Sequence, residues 1–280
     1  MNEVGLGKAL QLARLSKGLT QQQLCQRADL SYSTLAKIER GAIKAPSIFT
    51  IQKIANTLGL ELSQMLENVS GSHSTSTKKT SKSGIRFVYL DINGCLVRFF
   101  QRAFTKIAYQ FSISSETVET VFWHYNDDIC RGKISLEEFN HKLSEDLRIG
   151  KINFQDYYMS SVEVMPGMHE LVNQIASDYQ VGLINDIMPG FIDSLEAKDL
   201  IPKVSYDSIV DSSIVKAMKP ELKVFQIAEQ MSGLTAHEIL LIDDSRSNLV
   251  AADKLGWHVI WFNDNDPKDS IQRIKTALEL

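Results

Sequence analysis

The chain has 280 residues, a net charge of −4, three cysteines and no apolar run approaching the roughly 18–20 residues of a membrane span. That length suits about two domains, and cysteines this few and scattered exclude a disulfide framework or a zinc site. No N-terminal apolar stretch with a small-residue cleavage site occurs, so no signal peptide is expected and the cytoplasm is the expected compartment. The charge is uneven: residues 1–84 carry a net +6 and residues 85–280 a net −10. A small basic module beside a larger acidic one fits nucleic-acid binding by the first alone.

In residues 1–67 apolar side chains recur at helical spacing: Leu6, Leu10 and Ala13, then Leu24 and Ala28, then Leu35 and Ile38, then Ile48, Ile51, Ile54, Ala55 and Leu58. Gly18-Leu19-Thr20 ends a first helix, and Thr20 with Gln23 forms a capping box for a second. Ser31 caps a short third helix over 32–40, closed by Gly41. Ser47 caps a fourth, and a fifth is expected near 61–66. Five short helices, the second and third joined by a tight turn, are compatible with a helix-turn-helix domain.

At KGLTQQQLCQRADLSYSTLAKIERG the chain resembles the Cro/phage-repressor (XRE) helix-turn-helix family, over nearly all of residues 4–67. The resemblance implies double-stranded DNA as partner, with the third helix in the major groove. Gln21 is then expected on phosphate, Tyr32, Ser33 and Lys37 on bases or nearby backbone, and Arg40 and Lys44 on phosphates. Amides and cations suit phosphate oxygens, and side chains early on a recognition helix reach base edges. Arg14 and Glu39 match a pair that is an internal ion pair in that family. Such proteins usually read paired half-sites, so a homodimer is expected.

Residues 68–84, NVSGSHSTSTKKTSKSG, are polar and expected to form a flexible tether. Residues 85–280 then open with a short apolar run that ends in Asp91 and Asn93-Gly94, the pattern of a buried parallel strand entering a tight turn. Strands are expected at 87–90, 181–184, 209–210, 239–242 and 259–262, each followed by turn chemistry and a helical pattern. Alternating strands and helices imply an α/β fold with a parallel, Rossmann-like sheet. The insert at about 97–165 has helical periodicity and is expected to cap the strand ends. Within it, NDDICRGKISLEE imitates a calcium loop, but Ile129 and Arg131 cannot supply side-chain oxygens, which excludes that reading. Ser135 with Glu138 instead opens a cap helix. Trp123, His124 and Tyr125 admit two readings, substrate contact or helical core. Cys95 lies beside Asp91 and suits a buried small apolar side chain.

Asp91 with Asn93, Asn185, Lys219 and the pair Asp243-Asp244 fall where ligand groups gather in open α/β sheets, at the C-terminal strand ends. An Asp nucleophile can form an aspartyl-phosphate, paired carboxylates can hold Mg²⁺, and a lysine steadies the charge on a phosphoryl group. This order, with AMKPELKVF and LLIDDSRSNLVAADKLGW, resembles the haloacid-dehalogenase (HAD) superfamily across essentially all of 85–280, and its small phosphatases with a helical cap in particular. The resemblance implies Asp91 as nucleophile and Mg²⁺ ligand, the Asn93 carbonyl as a second ligand, Lys219 as the phosphate lysine, and Asp243 supported by Asp244 as further metal ligands. Asn248 matches the polar position after that pair.

Two positions depart from the pattern. Asn93 stands where most phosphatases of the family carry an acid/base Asp, and an amide cannot protonate a leaving group. Asn185 stands where Ser or Thr is usual, with an amide that can still donate to a phosphate oxygen. Three functions remain open: a DNA-binding regulator whose second domain senses a phosphorylated small molecule or mediates assembly; a Mg²⁺-dependent phosphomonoesterase localised by its helix-turn-helix; and a pair of protein-interaction surfaces.

Overall fold

A computed structural model describes residues 7, 10, 11, 13–15, 17–39, 43, 46–60, 78–98 and 101–280. The chain divides into two compact units, Met1–Thr77 and Lys78–Leu280. Residues 78–84, expected within the tether, belong to the second unit: the Lys79 amide donates to the Asp178 carbonyl at 2.6 Å and the Ser81 amide to that of Ile85 at 2.9 Å. The expected helix at 61–66 and the rest of the tether lie outside the described residues.

In the first unit α1 (Gln21–Ala28), α2 (Tyr32–Glu39) and α3 (Ile48–Leu58) follow the sequence signals closely. Thr20 Oγ1 accepts from the Gln23 amide at 3.1 Å while Gln23 Oε1 accepts from the Thr20 amide at 2.8 Å, so both halves of the capping box form. Ser31 and Ser47 accept from the amides of Thr34 and Thr50, satisfying N–H groups that a helix start otherwise leaves orphaned. Leu10, Leu24, Leu35, Ile38, Ile51 and Ile54 meet in one small core. Gly7 packs so closely on α2 that a Cβ there would lie 2.2 Å from the Ile38 carbonyl oxygen.

The second unit is a five-stranded, all-parallel sheet in the order β3-β2-β1-β4-β5. Its strands are β1 (Phe87–Leu90), β2 (Gln180–Asn185), β3 (Ser208–Asp211), β4 (Ile239–Asp243) and β5 (His258–Trp261). Each contains or overlaps its expected run. The strands of β1 and β4 are buried along their whole length, as strands covered on both faces must be. Between β1 and β2 the cap carries α4 (Gln101–Phe111), α5 (Ser115–Cys130), α6 (Leu136–Asp146) and α7 (Phe154–Met159).

Phe104, Phe122, Phe139 and Phe154, one from each cap helix, form an aromatic cluster with ring centroids 4.9–6.3 Å apart. At α6 Ser135 Oγ accepts from the Glu138 amide, while the Glu138 carboxylate turns to Lys142. The remaining helices are α8 (Met168–Asp178), α9 (Phe191–Ala197), α10 (Ser212–Val215), α11 (Leu222–Ser232), α12 (Arg246–Lys254) and α13 (Pro267–Leu278). Among the described residues no helix is long and apolar enough to cross a membrane.

Candidate functional site: a lysine-bridged carboxylate pocket

Asp91 leaves the end of β1, Asp243 ends the adjacent β4, and Lys219 sits in the loop before α11. The Lys219 ammonium lies 2.8 Å from Asp91 Oδ1 and 2.6 Å from Asp243 Oδ2, with both Asp243 and the lysine buried. Asp243 is held further by the Ser245 amide at 2.8 Å and by the Asn248 carboxamide, which reaches both carboxylate oxygens at 3.0 and 3.2 Å. Asn248 therefore orients a carboxylate. Asp244 points its side chain at Gly94: a Cβ at Gly94 would stand 2.1 Å from Asp244 Oδ2, and the φ of +87° there also suits glycine.

Electrostatics follow from this burial. Loss of water pushes the Asp91 carboxyl well up, opposed by Lys219 and reinforced by Asp243 and Asp244. Burial pushes the Lys219 ammonium down, but Asp243 and Asp91 outweigh it and hold the group firmly protonated. Asp244 rises to about 6, through desolvation first and then repulsion from Asp243.

Asp91, Asp243 and Asp244 each offer an oxygen within 4.8 Å of the others, a hard-oxygen set that fits Mg²⁺. Asn185, at the end of β2 and 1% exposed, leaves both its amide nitrogen and its carbonyl oxygen without a hydrogen-bond partner. Buried orphans of this kind are rare and cost free energy unless a ligand or water meets them.

Asn93 is held differently from an acid/base group. The Tyr158 hydroxyl, from cap helix α7, donates to Asn93 Oδ1 at 2.6 Å, and burial, reinforced by Asp91, raises the tyrosine's pKa against the lowering effect of that bond. Sequence reasoning missed three participants. Asp186, the residue after Asn185, lines the pocket and accepts the Lys219 amide at 3.0 Å; desolvation lifts its carboxyl to about 6. The other two, Asn126 and Asp127, come from the cap and join Trp123 on the wall of a cavity of about 320 Å³ that also contains Asp91, Asn93, Lys219 and Asp244. Of the aromatic triplet, Trp123 thus faces the cavity, while His124 is exposed and Tyr125 bonds Asp146 at 2.6 Å. Cys95 is fully buried and unreactive in character, its thiol pKa raised by burial.

In the first unit Tyr32, Ser33 and Lys37 are exposed on α2. Gln21, expected on phosphate, instead donates its amide to Glu39 Oε2 at 2.7 Å, so a phosphate contact would require that bond to be exchanged. Arg40 and Lys44 lie outside the described residues. Arg14 and Glu39 do form the internal pair, at 2.7 and 3.0 Å.

Comparison with known proteins agrees with this division. Residues 10–65 match the helix-turn-helix family model and residues 88–262 that of haloacid dehalogenase-like hydrolases. The HTH-type transcriptional regulator SlrR of Bacillus subtilis is 36% identical over 62 residues, which is 22% of this chain and 41% of SlrR. Mouse acyl-CoA dehydrogenase family member 10 is 24% identical over 226 residues, 74% of this chain and 21% of that protein. The matched stretch therefore spans about a fifth of the one curated relative and about two fifths of the other. A solved HAD family enzyme of Bacteroides thetaiotaomicron, in complex with magnesium and inorganic phosphate, shares the fold at 20% identity with a TM-score of 0.54, covering 65% of this chain and 96% of that one.

Proposed function

Because the chain belongs to the haloacid dehalogenase-like hydrolase family and carries a helix-turn-helix domain at its N-terminus, we propose that it is a DNA-binding transcriptional regulator whose second domain binds a phosphorylated small molecule. It acts in the cytoplasm as a homodimer on paired half-sites of double-stranded DNA. One observation carries the ligand assignment: a buried lysine bridging two carboxylates beneath a cap, with the unpartnered Asn185 amide at the neighbouring strand end. Lys219 and the Asn185 amide nitrogen are the donors for phosphate oxygens.

Asp91, Asp243 and Asp244 would hold Mg²⁺, which when bound neutralises charge on the phosphate. Asn93 supports binding over turnover. It cannot deliver a proton to a departing alkoxide, and the tyrosine bonded to it has its pKa raised, which disfavours proton loss.

A second reading, a phosphomonoesterase, is favoured by Asp186. In it Asp91 attacks phosphorus, the bond to the alkoxide breaks, and the alkoxide takes its proton from Asp186, whose pKa of about 6 keeps part of it protonated near neutrality. Water then hydrolyses the aspartyl-phosphate. Phosphate release from a panel of phosphomonoesters with Mg²⁺, wild type beside Asp91→Asn, separates the two. The sensor reading expects no release in folded protein, and a ligand-dependent change in operator affinity. Turnover that vanishes in Asp91→Asn would establish the esterase instead.

A further inference from the structure

The pocket walls distinguish among phosphorylated molecules. Trp123, Asn126 and Asp127 stand at i, i+3 and i+4 on α5, the spacing that places side chains on one helix face, and all three line the cavity. Arg131, just past the end of α5 and outside the cavity lining, pairs with Glu221 at 2.5 Å and interacts at longer range with Asp127 and Asp186. Lys133, just beyond the helix, pairs with Asp128 at 2.8 Å. Among the described cavity-lining residues, Asp91, Asp127, Asp186 and Asp244 face one ammonium, that of Lys219, which is already held by Asp91 and Asp243.

Phosphate and Mg²⁺ would take Lys219, Asp91 and Asp244. That leaves, among the described lining residues of the cap, a carboxylate, a carboxamide and a half-exposed indole, and no cation. A second anionic group on the ligand would be repelled by Asp127 and Asp186, whose nearby cations, Arg131 and Lys219, are each already paired with a carboxylate. A cationic group would be attracted by both, and an ammonium over Trp is among the better cation–π pairs. Asn126 uses its carbonyl oxygen to accept from the Cys130 thiol, which leaves its amide nitrogen to donate to a ligand oxygen. A volume of about 320 Å³ is at the small end of ligand pockets.

We propose that the ligand is the phosphomonoester of a small amino alcohol, its phosphate at Lys219 and its ammonium between Trp123 and Asp127. This rests on the phosphate-site reading above and holds whether the ester is only sensed or also cleaved.

The test is calorimetry on the full chain with Mg²⁺, comparing phosphoethanolamine, ethyl phosphate, phosphoglycolate and inorganic phosphate. Where turnover occurs, KM replaces Kd. Phosphoethanolamine is expected to bind roughly tenfold more tightly than ethyl phosphate, which has the same ester without the ammonium, and phosphoglycolate most weakly. The ratio between the first two should fall at least fivefold in Asp127→Asn, and in Trp123→Leu as an independent check; both sites are exposed, and a thermal melt verifies folding.

Equal affinity for the amino and ethyl esters, or preference for phosphoglycolate, would overturn the amine while leaving the phosphate site standing. Failure of all four probes to bind folded protein would overturn both.

Discussion

Arg14 in the first unit and Lys219 in the second are both buried cations held by carboxylate, at 2.7 Å and 2.6 Å, yet their surroundings differ in kind. Arg14 makes a two-pronged pair with Glu39 and spends its remaining nitrogen on the Leu19 carbonyl, while Gln21 completes Glu39. Each Arg14 nitrogen and both Glu39 oxygens there have a partner. Lys219 instead faces two carboxylates with a third close by, in the wall of a cavity, near an amide with no partner. A closed pair secures packing. An open cluster with surplus negative charge and orphaned donors waits for something to complete it.

The largest test of that contrast is Lys219→Ala, which strands two buried carboxylates and should cost about 3–5 kcal/mol. If the cluster is a cation site, Mg²⁺ should recover more stability in this variant than in wild type. Identical Mg²⁺ responses in thermal or urea unfolding would erase the distinction. Glu39→Ala leaves Arg14 buried without its partner and should cost about 3–5 kcal/mol at the upper end, confined to the N-terminal unit and insensitive to Mg²⁺.

Acidity probes the open cluster more finely. The folded-state carboxyl of Asp186 sits at about 6 against an ordinary 3.8, so its protonated form is favoured by folding. Its contribution is full below the ordinary value and is lost as pH rises through about 6. Metal-free wild type should therefore lose roughly 2–3 kcal/mol relative to Asp186→Asn between pH 4 and 7, measured by urea unfolding. Parallel curves for the two proteins would remove Asp186 from the cluster. The smallest effect concerns DNA: Lys37→Ala should weaken operator binding by about tenfold or less and lower the salt slope by about one, if it contacts phosphate.

Much of this was legible before any coordinates. Asp91 and Asp243 could be placed because each ends an apolar run too short for a helix, and a parallel sheet carries such residues to one edge. Thr20, Ser31 and Ser47 announced their helices because capping is a local bond between residues three apart. Asp186 was missed although it follows Asn185 directly, since the turn of the backbone after β2 decides which of two polar neighbours meets the Lys219 amide. Asn126 and Asp127 were missed for a related reason. Their spacing from Trp123 was visible, but the docking of Phe122 into the cap's aromatic cluster is what aims that face of α5 at the pocket.

The sequence alone determined the order of elements, the division into a basic helical module and an acidic α/β domain, and the carboxylates at the strand ends. These depend on contacts within a few residues and on periodicity. Tertiary structure decided that Lys219 joins Asp91 to Asp243, that Gln21 serves Glu39, and that the cap presents a carboxylate and an indole to the cavity. Those pairings span 18 to 128 positions or turn on which side of a helix packs inward, and only the assembled core sets them.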